Sequence, residues 1–306
     1  MTRRPTRLDK KFDLLREKTE RGALKAASSN RALNKLASNK LAVLGLAFVT
    51  IMILSSVFAP LVTQYDPQKV DLRMMLKPPS ADHILGTDKI GRDVFARIIY
   101  GGRISILVGL GSALGAALIG VSIGAYTAYK GGWLDSTFLR ISEVVMSFPQ
   151  IILVLMLVTI LGQSLMNLII IFTLTGWGSL YRLTRAQMLS LREEEYVQAL
   201  RAFGLNTFTI CFKHILPNAL GPIMVNITLS TAMFILQEAG LSFLGLGVPL
   251  NIPTWGNILN VAQDLRILQN YWRVWLPSAI TIPLFVLAIN FVGDGLRDTT
   301  DPTMQG

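Results

Sequence analysis

The side chains that do covalent or metal chemistry are sparse in this chain and badly placed to act together. The two histidines, His83 and His214, lie far apart in the sequence. The single cysteine, Cys211, excludes an intramolecular disulfide and any cysteine-based metal cluster. No serine, histidine and aspartate combine into a usable nucleophile. There is no G-x-x-x-x-G-K-[ST] loop, and no lysine follows a glycine anywhere, so the lysine that would reach β- and γ-phosphates is missing. No catalytic residue, metal site or bound cofactor is expected. What remains is a set of polar side chains inside apolar runs. Such groups are costly in lipid and usually face a bundle interior or a water-filled path. Asn226, Ser230 and Gln237 share a helical face at offsets of 4 and 11, with Glu238 beside them, and they read as candidates for such a path. Arg140, Glu143, Ser147 and Gln150 share another face at offsets of 3, 7 and 10. Arg140 and Glu143 fit a simpler role, pairing or snorkelling near an interface at the start of their helix.

The elements that must carry these residues are membrane helices. The chain has 306 residues, 51% hydrophobic and 16% charged, whereas a soluble domain carries about 25% charged residues. Crossing a bilayer core takes about 20 apolar residues in a helix. Six stretches suffice: 41–62, 104–129, 137–162, 165–184, 220–246 and 274–294. The expected fold is all-α, a polytopic membrane protein with six transmembrane helices over residues 41–298. Pro149 is expected to kink the third helix. The pairs Gly111/Gly115 and Gly120/Gly124 let helices approach closely where packing drives association.

The net charge of +10 does not point to nucleic acid. Residues 1–40 hold 12 of the 29 lysines and arginines against 4 acidic residues, and a basic run beside an apolar span marks the cytoplasmic side and anionic lipid. This basic segment is too long for a signal-peptide n-region, and Leu41–Val62 exceeds an h-region of about 7–15 residues. Both the basic segment and the tail at 299–306 are therefore expected in the cytoplasm, with 63–103 outside and 185–219 inside. The outer segment carries 7 lysines and arginines, but also 5 acidic residues. Within the leader, Leu8, Phe12, Leu15, Leu33 and Leu36 fall at helical spacing, which suits either an amphipathic helix on the inner leaflet or a solvated basic tail.

The loop at about 185–219 holds the most information. Glu193, Glu194 and Glu195 suit a helix N-terminus, Gly204 suits a helix C-cap, and Asn206 or Thr207 can cap a second helix. Pro217 ends that helix or opens the next. Two short helices joined by a sharp turn are predicted.

This loop resembles the "EAA" signature of ABC-importer permeases: E-A-A, three residues, Gly, nine residues, then I-x-L-P. Gln198-Ala199-Leu200 stand at E-A-A, Gly204 at the glycine, and Leu216-Pro217 at L-P, while Gln198, Leu200 and His214 depart from the pattern. Further segments are similar to one branch, the "C" permease subunits of dipeptide, oligopeptide and nickel importers: His83–Val94, Glu194–Val197, His214–Asn218, Leu241–Gly247, Pro253–Gly256 and Gly293–Asp298. The resemblance covers about residues 40–302. It implies that this loop, with Glu194, Glu195, Tyr196, Gln198, Ala199, Gly204, Leu216 and Pro217, forms a coupling helix that docks into a groove on an ATPase, where Tyr196, Ala199 and nearby side chains would supply the knobs and Gly204 would let the two short helices pack against the membrane domain. It also implies two cytosolic ABC ATPases that use ATP and Mg, a second homologous permease, an extracytoplasmic solute-binding protein and surrounding membrane lipid as partners, in the inner (cytoplasmic) membrane. Nickel or an oligosaccharide is the alternative cargo. An ion-gradient-driven transporter is the rival class, but no internal repeat of the kind such proteins often carry is visible.

Overall fold

The computed structural model describes residue 37 and residues 39–300. The leader stripe from Leu8 to Leu36 and the tail beyond Thr300 lie outside these residues. The described chain is all-helical apart from one isolated bridge between Thr87 and Asp93. Its main helices are α1 Lys40–Val57, α2 Val94–Lys130, α3 Gly132–Met146, α4 Gln150–Leu161, α5 Leu165–Leu191, α6 Glu195–Ala202, α7 Thr207–Phe243, α8 Trp255–Leu259, α9 Leu265–Asn270 and α10 Trp272–Thr300. Helix α7 contains a π-helical stretch at Ile210–Ile215, before Pro217.

Side-chain caps set several of the starts. The Asn39 side chain accepts the Ala42 N–H at 3.1 Å, and its Nδ2 donates to Asp298 near the end of α10 at 3.1 Å. Asp93 accepts from Ala96 N at 2.6 Å, which explains why α2 begins ten residues before the expected apolar run.

The centre of the bundle is the seam between α2 and α5. It closes because α2 presents glycines. A Cβ on Gly120 would lie 2.6 Å from the Trp177 carbonyl oxygen, one on Gly115 2.5 Å from Thr173 Oγ1, and one on Gly124 2.9 Å from the Tyr181 carbonyl oxygen. Gly111 is different: its Cβ would sit an ordinary 3.8 Å from Ile169. Helix α7 packs on α2 and α10, and α10 packs on α1. Phe172 of α5 stacks on Phe234 of α7, with ring centroids 5.3 Å apart. Outward-facing Leu44, Ile51, Leu54, Leu118, Met156 and Met233 are exposed. Apolar side chains on the outside of a bundle suit a lipid solvent, where helix association depends on packing.

Helices α1, α2, α7 and α10 are each long and apolar enough to cross a membrane, and α3 with α4 forms a fifth candidate as a bent pair. The expectation of six is met in length and composition by four or five. Helix α5 is the exception among the long helices: Gly176, Gly178, Ser179, Tyr181 and Arg182 lower its hydropathy. Its Leu168, Ile171, Phe172, Leu180, Tyr181 and Met188 are nevertheless fully buried.

The third predicted span is corrected in form. It is not one kinked helix over 137–162. It is two rods, α3 and α4, meeting at 84° across Ser147–Pro149. A proline that only removes one donor bends a helix modestly; here the backbone leaves the helix at Pro149 (φ −56°, ψ 121°) and starts again at Gln150. Gln150 therefore does not continue the face of Arg140, Glu143 and Ser147. The second short helix expected in the 185–219 loop is likewise not separate, because helix runs on from Thr207 into α7.

Candidate functional site

Helix α5 delivers the chain to the loop, and α6 crosses between α5 and α7. Val197 is the one fully buried side chain of α6 and sits with Met188, Ile210, Cys211 and Ile215. Gly204 has φ +74°, a left-handed conformation that side chains resist. There the Gly204 N–H donates to Arg201 O at 2.9 Å and the Leu205 N–H to Leu200 O at 3.3 Å, the paired bonds of a Schellman turn. Asn206 then caps the next helix by accepting from Thr209 N at 2.7 Å. So the C-terminal end of α6 is fixed. The helix leaves Glu194, Glu195, Tyr196, Gln198 and Ala199 exposed together. Pro217 is exposed and Leu216 half-buried against the Val197 cluster. Asn218 donates to Tyr196 Oη at 3.2 Å, which joins the start of α7 to α6.

Sequence reasoning missed two members of this surface. Phe203 and Phe208 are 81% and 64% exposed, on either side of the Gly204 turn. The available signal was two aromatics flanking a cap glycine in a polar loop. It also missed Arg192 and Arg201, which tie the loop to α2. Arg192 Nη1 donates to Ala128 O at 3.0 Å, and Arg201 Nε donates to Tyr129 Oη at 3.1 Å with its guanidinium 5.0 Å from that ring.

In the middle of the bundle, Gln237 Nε2 donates to Gln150 Oε1 at 3.2 Å, and Gln150 Nε2 to Thr175 Oγ1 at 3.4 Å. This chain of amides links α7, α4 and α5 at the 84° break. It borders a cavity of about 200 Å³ lined by Val145, Met146, Phe148, Gln150, Thr175 and Ser179 among others. Gln237 Oε1 is buried without a partner. Asn226 and Ser230 do not join this group. They bond each other, Ser230 Oγ to Asn226 Oδ1 at 3.4 Å, nearer the α6 end of α7. Arg140 and Glu143 pair with each other at 2.8 Å on the exposed side of α3.

Glu238 turns the other way. It is fully buried, accepting from Ser242 Oγ at 2.6 Å and Ser105 Oγ at 3.1 Å. Ser105 also accepts from Trp255 N at 3.1 Å, Trp255 Nε1 donates to Ile98 O at 3.1 Å, and Ser278 donates to Trp255 O at 2.5 Å. One tryptophan at the start of α8 is thus bonded to α2 and α10 and, through Ser105 and Glu238, to α7. At the same end, His83 Nδ1 lies 2.8 Å from Asp93 and Arg92 Nε 2.7 Å from Asp88.

Residues 116–306 match the family described as the binding-protein-dependent transport system inner membrane component, and residues 29–79 match the N-terminal transmembrane domain of oligopeptide transport permease C. The oligopeptide transport system permease protein OppC of Bacillus subtilis is 40% identical over 90% of this chain and 89% of its own length. The dipeptide transport system permease protein DppC of Alkalihalophilus pseudofirmus is 42% identical over 90% of each. The chain belongs to the family of binding-protein-dependent transport system inner membrane components. A solved chain of the inward-facing MetNI methionine ABC transporter has the same fold, with a TM-score of 0.51 at 20% identity over 67% of this chain and 96% of that one. As a member of this permease family the protein is a multi-pass membrane protein. The family match includes α6 and the Gln150–Gln237 bridge, both within residues 116–306.

Proposed function

We propose that the chain is the transmembrane permease subunit of an ATP-driven importer of dipeptides or oligopeptides. The observation that carries this reading is α6: a short helix closed by the Gly204 turn, exposed along Tyr196, Gln198 and Ala199, and held to α5 and α7 by buried Val197 and the Asn218–Tyr196 bond. Such a rod passes a push from a docked partner into the bundle as a rigid-body movement. Two cytosolic ATPases supply the push and use the ATP and Mg. This subunit supplies the path and hydrolyses nothing. The curated relatives named for oligopeptide and dipeptide transport support peptide as the cargo.

In this reading α5 is the remaining crossing, packed against α2, α4 and α7 on one side and presenting Met166, Ile170 and Leu174 on the other. Both termini and α6 are cytoplasmic. The opposite end, built from residues 63–93 and 244–271, meets a solute-binding protein. A second, homologous permease completes the path, and Gln150, Gln237, Asn226 and Ser230 face it in sequence along α4 and α7.

Co-purification from native membranes tests the assignment. Two ATP-binding subunits, a related permease and a solute-binding protein that takes up peptide in calorimetry are expected. A binding protein that ignores peptides and binds nickel or an oligosaccharide would overturn the cargo, and a complex with no ATPase would overturn the machine.

A further inference from the structure

Helices α3 and α5 pack side by side, and their charges do not balance. Helix α3 carries Asp135, Arg140 and Glu143, and α5 carries Arg182 and Arg185. Both carboxylates are taken. Asp135 receives the Arg185 guanidinium as a fork, Nε to Oδ1 at 2.7 Å and Nη2 to Oδ2 at 2.6 Å, and Glu143 pairs with Arg140 at 2.8 Å. Arg182 is the cation left over. It is exposed, and among the described residues it makes no ion pair, side-chain hydrogen bond or ring contact. It lies nine residues before Leu191, the last residue of α5, about 14 Å from that end of the helix. A guanidinium at that depth is costly against lipid and belongs beside an anion or a wet path.

The surroundings of Arg182 are those of the polar centre. Phe172 of α5 stacks on Phe234 of α7, and Met188 at the end of α5 sits with Ile215 near the start of α7, so the two helices run antiparallel. Arg182 is ten residues past Phe172 and Asn226 is eight before Phe234, about 15 and 12 Å along their helices, which puts both near one level. A helical side chain leans toward its own N-terminal turn. For Arg182 that is the turn of Ser179, away from the α6 end. Ser179 lines the cavity of about 200 Å³ at the 84° break, where Gln150 and Thr175 complete a polar wall and Met146, Phe148 and Leu153 an apolar one. Gln150 spends one amide N–H on Thr175, which leaves the other for a ligand.

We infer that Arg182 and this cavity form a subsite for the C-terminal end of a peptide: the guanidinium holds the terminal carboxylate, Gln150 donates to the last peptide carbonyl, and the cavity takes the last side chain. The inference rests on the peptide-importer reading above and names the group that reads the cargo. Linear peptides of every sequence share a terminal carboxylate and backbone amides, so a site built on these two groups accepts mixed cargo. The planar arginine fork matches a carboxylate, and no acid of α3 competes for it. A volume of about 200 Å³ equals about seven waters of liquid, room for a leucine-sized side chain, and Met146 adapts to its shape.

The test uses the complex purified with its ATPases and second permease, in nanodiscs of phosphatidylethanolamine and phosphatidylglycerol, without nucleotide or solute-binding protein. Binding of trialanine and of trialanine amide is titrated by saturation-transfer NMR. The wild type is expected to bind the free acid about tenfold more tightly than the amide, the scale of one charge-assisted contact. Arg182→Gln is expected to erase that preference by weakening the acid alone, and Arg182→Lys to keep part of it. A photoreactive tripeptide, Ala-Ala-photoleucine, is expected to label Met146, Phe148 or Leu153 in the wild type, a readout that needs no variant to assemble. Equal binding of acid and amide by the wild type, or labelling confined to other segments, would overturn the subsite. So would an Arg182→Gln complex that still prefers the acid; a loss of bound phosphatidylglycerol in that complex would then assign Arg182 to lipid headgroups. If the wild-type complex holds no ATPase, the permease reading fails instead.

Discussion

Gln237 of α7 donates to Gln150 of α4 at 3.2 Å, where Gln150 is the first helical residue after the break. The bond joins two helices through side chains that each present an amide, the group a peptide backbone also presents. Gln237 Oε1 is buried and makes no hydrogen bond within the described residues.

Replacing Gln237 or Gln150 with leucine is therefore expected to slow uptake by about tenfold, the scale of one lost polar contact to a moving solute, while the assembled complex remains intact. Initial uptake rates in membrane vesicles, compared with the amount of complex recovered in detergent, check this. Asn226→Ala, away from the amide bridge, is expected to have a smaller effect.

Gly204→Leu forces a branched side chain into φ +74°, at about 1–2 kcal/mol of backbone strain. The α6 rod would lose its Schellman turn. Membrane insertion should persist, because Val197 and its apolar neighbours stay buried, and the recovery of bound ATPases should fall. Phe203→Ala is expected to weaken ATPase recovery without strain. Affinity purification through a tag on this chain, with the ATPases quantified, reads both.

The α2–α5 seam predicts a contrast between two glycines of α2. Gly120→Ala places a carbon 2.6 Å from the Trp177 carbonyl oxygen and should cost about 1–3 kcal/mol through forced separation of the helices. Gly111→Ala meets only Ile169 at 3.8 Å and should stay within about 0.5 kcal/mol of wild type. Thermal midpoints of the solubilised complex should separate the two.

Glu238→Leu strands the Ser105 and Ser242 hydroxyls and is expected to loosen the segment around Trp255 by about 1–3 kcal/mol. Glu238→Gln keeps an acceptor for one serine and offers an amide N–H to the other oxygen, and should be milder. Protease sensitivity between residues 247 and 271 is the readout.

Much of this was legible in the sequence. Apolar runs long enough to span, the small-residue pattern of α2 and the Gly204 turn all follow from local rules that a single helix or turn obeys. The family resemblance quoted from the loop and flanking motifs agrees with the family match. What was not legible depends on three dimensions. Pro149 signals a bend, but its 84° size is set by how α3 and α4 pack separately on α5. The Gln150–Gln237 bridge joins residues 87 apart, and the Asp135–Arg185 fork joins residues 50 apart; no periodicity within one helix could pair them. Placing Gln150 on the face of Arg140 failed for the same reason: a helical wheel assumes that the helix continues.

The most direct test of the central claim is transport by the purified complex in liposomes that contain ATP. A radiolabelled tripeptide, presented with the solute-binding protein outside, should accumulate only when the two ATPases are bound and ATP is hydrolysed, and Gly204→Leu should abolish the accumulation. Accumulation by this chain and its partner permease without the ATPases, driven by an ion gradient, would contradict the account.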